Sequence, residues 1–179
     1  MGCDEKDSAN VNTETIRTIF TRSTIIDFDI YNFVQKIKNL HDELRKKHNS
    51  KPLNYKNMEL NDLAKTYAKE LMLNKKKVKN KPNIYNGEIL GENIIISDSK
   101  DQKKILDEWK KEGDNYDFEN NKFSKDTCHF TQMIWKETKE VGIGFYPEND
   151  RKEDEKYCIV ILYYPPGNIL GKYKQNVTK

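Results

Sequence analysis

Apolar positions along the chain form three stripes with helical spacing and, later, two runs of extended character. Ile30, Phe33, Val34, Ile37, Leu40 and Leu44 recur at steps of three and four, which places them on one helix face. Asp27 or Asp29 is placed to cap this helix, and Ser50-Lys51-Pro52 stops it, because the residue before a proline is pushed out of helical geometry. Leu60, Leu63, Ala64, Tyr67, Ala68 and Leu71 make a second stripe. Ile105 and Trp109 mark a third, preceded by Ser99 and Gln102 at capping-box spacing. Residues 128–138 predict a short fourth helix whose contacts come from Phe130, Met133, Ile134 and Trp135. Ile94-Ile95-Ile96 reads as a short buried strand or turn, while 141–146 and 157–164 read as two strands joined by the charged loop 147–156. Lysine-rich 75–81 and the Asn-rich, acidic stretch 114–123 read as loops. Helices followed by an antiparallel pair predict an α+β fold, a three-layer α-β-α sandwich with a small antiparallel sheet between helices. Residues 1–25 form a polar, aperiodic leader, and 26–179 one domain.

Composition narrows the function. Lys+Arg number 32 and Asp+Glu 29 in 179 residues, a net charge of +3, which lacks the basic excess of a dedicated nucleic-acid binder. The uncharged stretch 157–170 is too short for a bilayer-crossing helix and is broken by Pro165-Pro166. Cys3, Cys128 and Cys158 are too few for a disulfide scaffold and form no CxxC knuckle. Cys128 and Cys158 can pair with each other or stand as free thiols. Met1-Gly2-Cys3 is followed by Asp, Glu and Lys instead of an apolar segment, so it does not read as a secretory signal. Gly2 is instead a candidate for myristoylation and Cys3 for palmitoylation, two chains that together hold a protein on a membrane; Lys6 departs from the Ser or Thr that the myristoylation pattern asks for. Asn176-Val177-Thr178 is a glycosylation sequon, relevant to a secreted chain.

Four motifs are more specific. Cys128-His129-Phe130-Thr131-Gln132-Met133-Ile134-Trp135 resembles the first signature of the CAP (SCP/TAPS) superfamily, with Cys128 in place of its glycine. Tyr163-Tyr164-Pro165-Pro166-Gly167-Asn168 is similar to the second signature, Gly91-Glu92-Asn93 to the Gly-Glu-Asn triplet, and His41-Asp42-Glu43-Leu44-Arg45 to the early His-Asn-x-x-Arg helix. The order and spacing agree from about residue 28 to 176. Within the superfamily the chain most resembles the cysteine-poor, Golgi-associated plant pathogenesis-related branch.

The resemblance implies a cleft lined by two His and two Glu that can hold a divalent metal. Glu92, Glu112 and His129 match three of these positions, and Asn80 stands where the second His is expected. One imidazole and two carboxylates would bind zinc weakly, since zinc favours three or four donors at about 2 Å and imidazole over carboxamide. The same residues equally suit a satisfied polar network. Catalysis is not expected: Cys128 and His129 diverge by about 100° on a helix, and no Gly-x-Ser-x-Gly elbow is present. The resemblance further implies lipid ligands (sterols, fatty acids or acidic phospholipids), with 75–81 offering an acidic membrane surface five lysines, together with a protein partner or homodimer. The leading expectation is a non-enzymatic lipid- or partner-binding CAP domain, held at the cytosolic face of a Golgi or plasma membrane by N-terminal acylation. The alternatives are a secreted venom-allergen-like effector acting on a host, and a metal-dependent hydrolase using Glu92, Glu112 and His129.

Overall fold

The computed structural model describes residues 32–73, 83–97, 102–147 and 156–179. Helix α1 covers 32–47 of these, with Phe33, Ile37, Leu40 and Leu44 buried on one side, as their spacing predicts. It ends where Asn49 enters the left-handed region (φ 56°) and the Ser50 N–H returns to the Arg45 carbonyl at 2.8 Å. Helix α2 (Met58–Leu73) starts at Asn57, whose Oδ1 accepts the Leu60 N–H at 3.1 Å. Leu60, Ala64, Tyr67 and Ala68 form its buried stripe. The capping residues expected before α1 and α3, Asp27, Asp29 and Ser99, lie outside the described residues, as does most of the charged loop after 147.

A small hairpin follows, β1 (Ile84–Tyr85) and β2 (Glu88–Ile89). Asn86 (φ 50°) and Gly87 (φ 80°) make its turn. The Asn-Gly pair is the strong signal for such a turn, and hydrophobic periodicity alone overlooks it. Strand β3 (Gly91–Ser97) extends the expected Ile94-Ile95-Ile96 segment to seven residues. Helix α3 is Gln102–Asn115, and a 3₁₀ turn (Lys125–Thr127) leads into α4 (Cys128–Ile134). Strands β4 (Glu140–Tyr146) and β5 (Tyr157–Tyr164) and the short α5 (Tyr173–Asn176) complete the described elements.

The sheet is antiparallel in the order β3-β5-β4. Central β5 is buried on both sides, which explains its unbroken apolar run. Cys158, Val160 and Leu162 face α2, while Ile159, Ile161 and Tyr163 join the core beneath α1, α3 and α4. These are the three expected layers. The α2 layer lies very close to β4: a Cβ on Gly144 would sit 2.0 Å from the Lys65 backbone nitrogen, and one on Gly142 2.3 Å from the Leu60 backbone. Only glycine admits that approach.

Helix α4 ends four residues earlier than its apolar pattern predicts. Trp135 turns to an extended ψ of 117°, and the carbonyls of Met133, Trp135 and Thr138 all point at the Arg45 guanidinium (2.9–3.0 Å). A buried cation with several carbonyl acceptors competes with helix continuation and wins.

Candidate functional site

The two CAP-like signatures meet through side-chain and backbone hydrogen bonds. Thr131 donates to Asn168 Oδ1 at 2.6 Å, and Asn168 Nδ2 donates to the Cys128 carbonyl at 2.9 Å. Gln132 Oε1 accepts the Gly167 N–H at 3.0 Å, and Thr138 donates to the Pro165 carbonyl at 2.9 Å. Gly91 and Gly167 lack side chains because Gln132 fills that space: a Cβ would lie 2.2 Å and 2.7 Å from its amide. Thr131 and Gln132 are both buried. The signature residues thus bind one another.

A second buried network ties α1 to the sheet. His41 Nδ1 donates to the Ile37 carbonyl at 2.7 Å, which leaves Nε2 to accept from the Tyr163 hydroxyl at 2.8 Å. That hydroxyl accepts from Asn93 Nδ2 (3.1 Å), which also reaches the His129 carbonyl (3.3 Å). Burial above all, with the Arg45 charge adding to it against the bond to Ile37, lowers the His41 pKa to about 4. The ring is neutral at neutral pH.

Of the residues expected to form a polar cleft, the structure brings two together. His129 Nδ1 lies 2.7 Å from Glu112 Oε1, and Glu112 Oε2 accepts the Phe130 N–H at 2.9 Å. The His129 ring stacks on Trp109, with centroids 4.8 Å apart and planes 10° from parallel. Glu92 has different partners. It accepts from Asn83 Nδ2 at 2.8 Å, and it holds the Tyr67 phenol, whose pKa is pushed up to about 12 by burial first and then by the Glu92 charge and hydrogen bond. Strand alternation explains the separation: Asn93 points to the α4 side, so its neighbour Glu92 turns toward α2. Asn83, three residues after the expected Asn80, is thus the amide beside Glu92; Asn80 itself lies outside the described residues. Among the described residues no group of three His, Cys, Asp or Glu side chains is placed to hold a metal ion. His129 and Glu112 come together while Glu92 is engaged by Asn83, so the described residues gather two of the expected donors at one point where zinc takes three or four.

Two possibilities that the sequence leaves open are placed by the fold. Cys128 and Cys158 are free thiols. Cys158 packs among the α2-facing residues, whereas Cys128 opens α4 across the sheet, so the strand's two-residue period keeps them apart. Asn176, the sequon residue, is buried, with Oδ1 accepting the Glu137 N–H (2.9 Å) and Nδ2 donating to the Lys172 carbonyl (3.0 Å). The enclosed side chain leaves no room for a glycan without displacing its neighbours. Gly2, Cys3 and lysines 75–81 lie outside the described residues.

The feature that the sequence did not reveal is an open cleft of about 620 Å³ between α1 and α3, within the usual range for small-molecule sites. Leu44, Lys47 and His48 line one wall, and Asp107, Lys110, Lys111 and Asp114 the other. The floor is aromatic: Tyr116 and Phe118 meet edge to face at 4.9 Å, His48 lies parallel to Phe118 at 5.7 Å, and Phe130 meets His48 edge-on at 5.3 Å. Gly113 makes room for that floor, since a Cβ there would stand 2.7 Å from the Phe130 ring. Lys110 pairs with Glu43 across the two helices, whereas Lys47, Lys111 and Lys179 have no ion-pair partner among the described residues. The lining comes from segments far apart in the chain, with no local motif to announce it.

Residues 38–164 match the family model described as CAP, the cysteine-rich secretory protein family. The chain is 35% identical over 150 residues to the human Golgi-associated plant pathogenesis-related protein 1, a match that spans 81% of this chain and 92% of that protein. It is also 35% identical over 88 residues to venom allergen 5 of the wasp Vespula flavopilosa, covering 44% of this chain and 42% of the allergen. In three dimensions it superposes on the Schistosoma mansoni venom allergen-like protein 4 with a TM-score of 0.61 at 26% identity, covering 81% of this chain and 94% of that structure. With the interlocked signatures, the three-layer sheet arrangement and a family match across most of its length, this chain belongs to the CAP family.

Proposed function

We propose that this CAP domain is a non-enzymatic binder of an anionic amphiphile, whose chain lies on the aromatic floor between α1 and α3 and whose head meets the lysines at the rim. The observation that carries the reading is the juxtaposition of Tyr116, Phe118 and Phe130 with Lys47, Lys111 and Lys179, cations without an ion-pair partner among the described residues, around a cleft of about 620 Å³. An apolar bed bordered by ammonium groups suits a ligand that is oily at one end and negatively charged at the other. The Cys128 thiol beside His129 supports a binding role over thiol catalysis: burial and then the Glu112 charge push it up from its ordinary value, away from the reactive thiolate.

Membrane attachment through acyl groups on Gly2 and Cys3, at the cytosolic face of the Golgi or the plasma membrane, is part of the same proposal. It is supported by the likeness to a Golgi-associated relative. No helix among the described residues is long and apolar enough to cross a membrane. The secreted alternative loses two of its expected marks, since Cys128 and Cys158 are unbonded and Asn176 is buried.

A fluorescent fatty acid such as cis-parinaric acid tests the cleft. Its affinity should fall about tenfold when Lys47 and Lys111 are both reversed to Glu, with the melting temperature essentially unchanged. Equal affinity in wild type and double variant would refute the assignment. A C-terminally tagged chain should leave its membrane on Gly2→Ala substitution, with mass spectrometry showing the lost acyl group.

A further inference from the structure

One polar atom in the cleft has no role in the account so far. His48 lines the cleft and is almost fully buried. Its Nδ1 lies 2.8 Å from the Thr178 carbonyl, which can only accept, so Nδ1 carries the proton and the neutral ring presents a bare lone pair at Nε2. Nε2 has no hydrogen-bond partner among the described residues. A bare lone pair on a residue that lines the cleft is a mismatch for an anion bound beside it, because both groups are acceptors. The mismatch disappears if the ring takes up a proton. Nδ1 then keeps its bond to Thr178, and Nε2 becomes a charged donor.

The charged groups that line the cleft with His48 bear on when its ring is charged. Lys47 comes from α1, Asp107, Lys110, Lys111 and Asp114 from α3, and Lys179 from the C-terminal segment. Lysines outnumber carboxylates, and Lys110 is already paired with Glu43. Burial foremost, opposed by the bond to Thr178 and assisted by Lys47, keeps the imidazole below its ordinary value. A negative head among these groups reverses the local balance and favours the imidazolium.

Building on the cleft as a ligand site, we propose that His48 makes capture proton-linked: an anionic head that brings no hydrogen-bond donor of its own enters together with one solvent proton, which settles on Nε2. No covalent bond changes; the proton passes from water or buffer to the ring, and on release returns the same way. The cleft would then hold such ligands more tightly in an acidic compartment than in a neutral one.

Decane-1-sulfonate is a suitable probe, since its charge is fixed across the range and its head donates nothing. Calorimetry near pH 7.5 in buffers of different ionisation enthalpy should show proton uptake on binding, and affinity should rise about tenfold or more toward pH 5.5. In His48→Gln, whose amide can donate without titrating, uptake should vanish and affinity should become flat with pH. The His48 ring resonance in the unmodified protein gives a reading that needs no variant: its apparent pKa should move up when the probe is added. Binding with no proton uptake, with the ring's titration unmoved, would overturn the role of His48. If that pH-flat binding is still lost in Lys111→Glu, the cleft survives and the proton linkage alone falls. Absence of binding at every pH removes both.

Discussion

The interlocked signatures and the α1–α3 cleft lie on the same side of the sheet and share Phe130, yet their polar groups are treated in opposite ways. In the first, Thr131, Gln132, Thr138 and Asn168 find one another or a backbone partner within 3.0 Å. In the second, Lys47, Lys111 and Lys179 are left without ion-pair partners among the described residues, above an aromatic floor. Satisfied groups hold a fold together and have nothing left with which to bind. The exposed lysines are held only by water and stay available to a ligand. Thr131, Gln132 and Asn168, residues that identify this family by sequence, are therefore spent on holding the fold.

The contrast is open to attack, and the largest expected effect is at Arg45. It is buried, donating from Nε to the Lys51 carbonyl at 2.6 Å and from its terminal nitrogens to three more carbonyls. Arg45→Ala leaves these acceptors buried and unpaired and should cost about 3–4 kcal/mol in urea unfolding. A loss below about 1 kcal/mol would mean that the turn after α4 is held by something else.

Acid should open the joint between α1 and the sheet. His41 takes up its proton near pH 6.5 when unfolded but near pH 4 in the fold. Its contribution is therefore complete above about 6.5 and is lost as pH falls toward about 4, because only the unfolded ring is protonated in that window. The shift corresponds to about 3 kcal/mol. Thermal unfolding followed between these pH values should show the loss in the native chain and a shallower acid limb in His41→Gln. Parallel limbs would assign the acid sensitivity to other groups.

The smallest effect is the most discriminating. Gln132→Ala removes the acceptor of the Gly167 N–H and should cost about 2 kcal/mol, while probe affinity in the cleft stays unchanged. A fall in affinity that matched the loss of stability would show that the two regions are not independent.

Much of the fold is legible before any coordinates. The stripe of Phe33, Ile37, Leu40 and Leu44 and the apolar run of β5 settle into a helix face and a doubly buried strand. The Asn86-Gly87 turn was also written in the sequence, though in turn chemistry instead of hydrophobic periodicity. The end of α4 was not legible, because Arg45, some ninety residues earlier, decides it. The expected polar cleft was half legible: Glu112 and His129 meet, while Glu92 meets Asn83 and Tyr67 instead.

By itself, then, the sequence determined the layers, the helix faces and the family signatures, since these depend on spacings of two, three and four residues and on motifs in which each residue has a near neighbour. Tertiary structure alone decided that Cys128 and Cys158 lie across the sheet from each other and that Asn176 is enclosed. It also decided that His48, Lys111, Phe118 and Phe130 border one cleft. Those outcomes depend on which segments pack together over long separations and on which way a strand residue faces, and neither is encoded in any single stretch of chain.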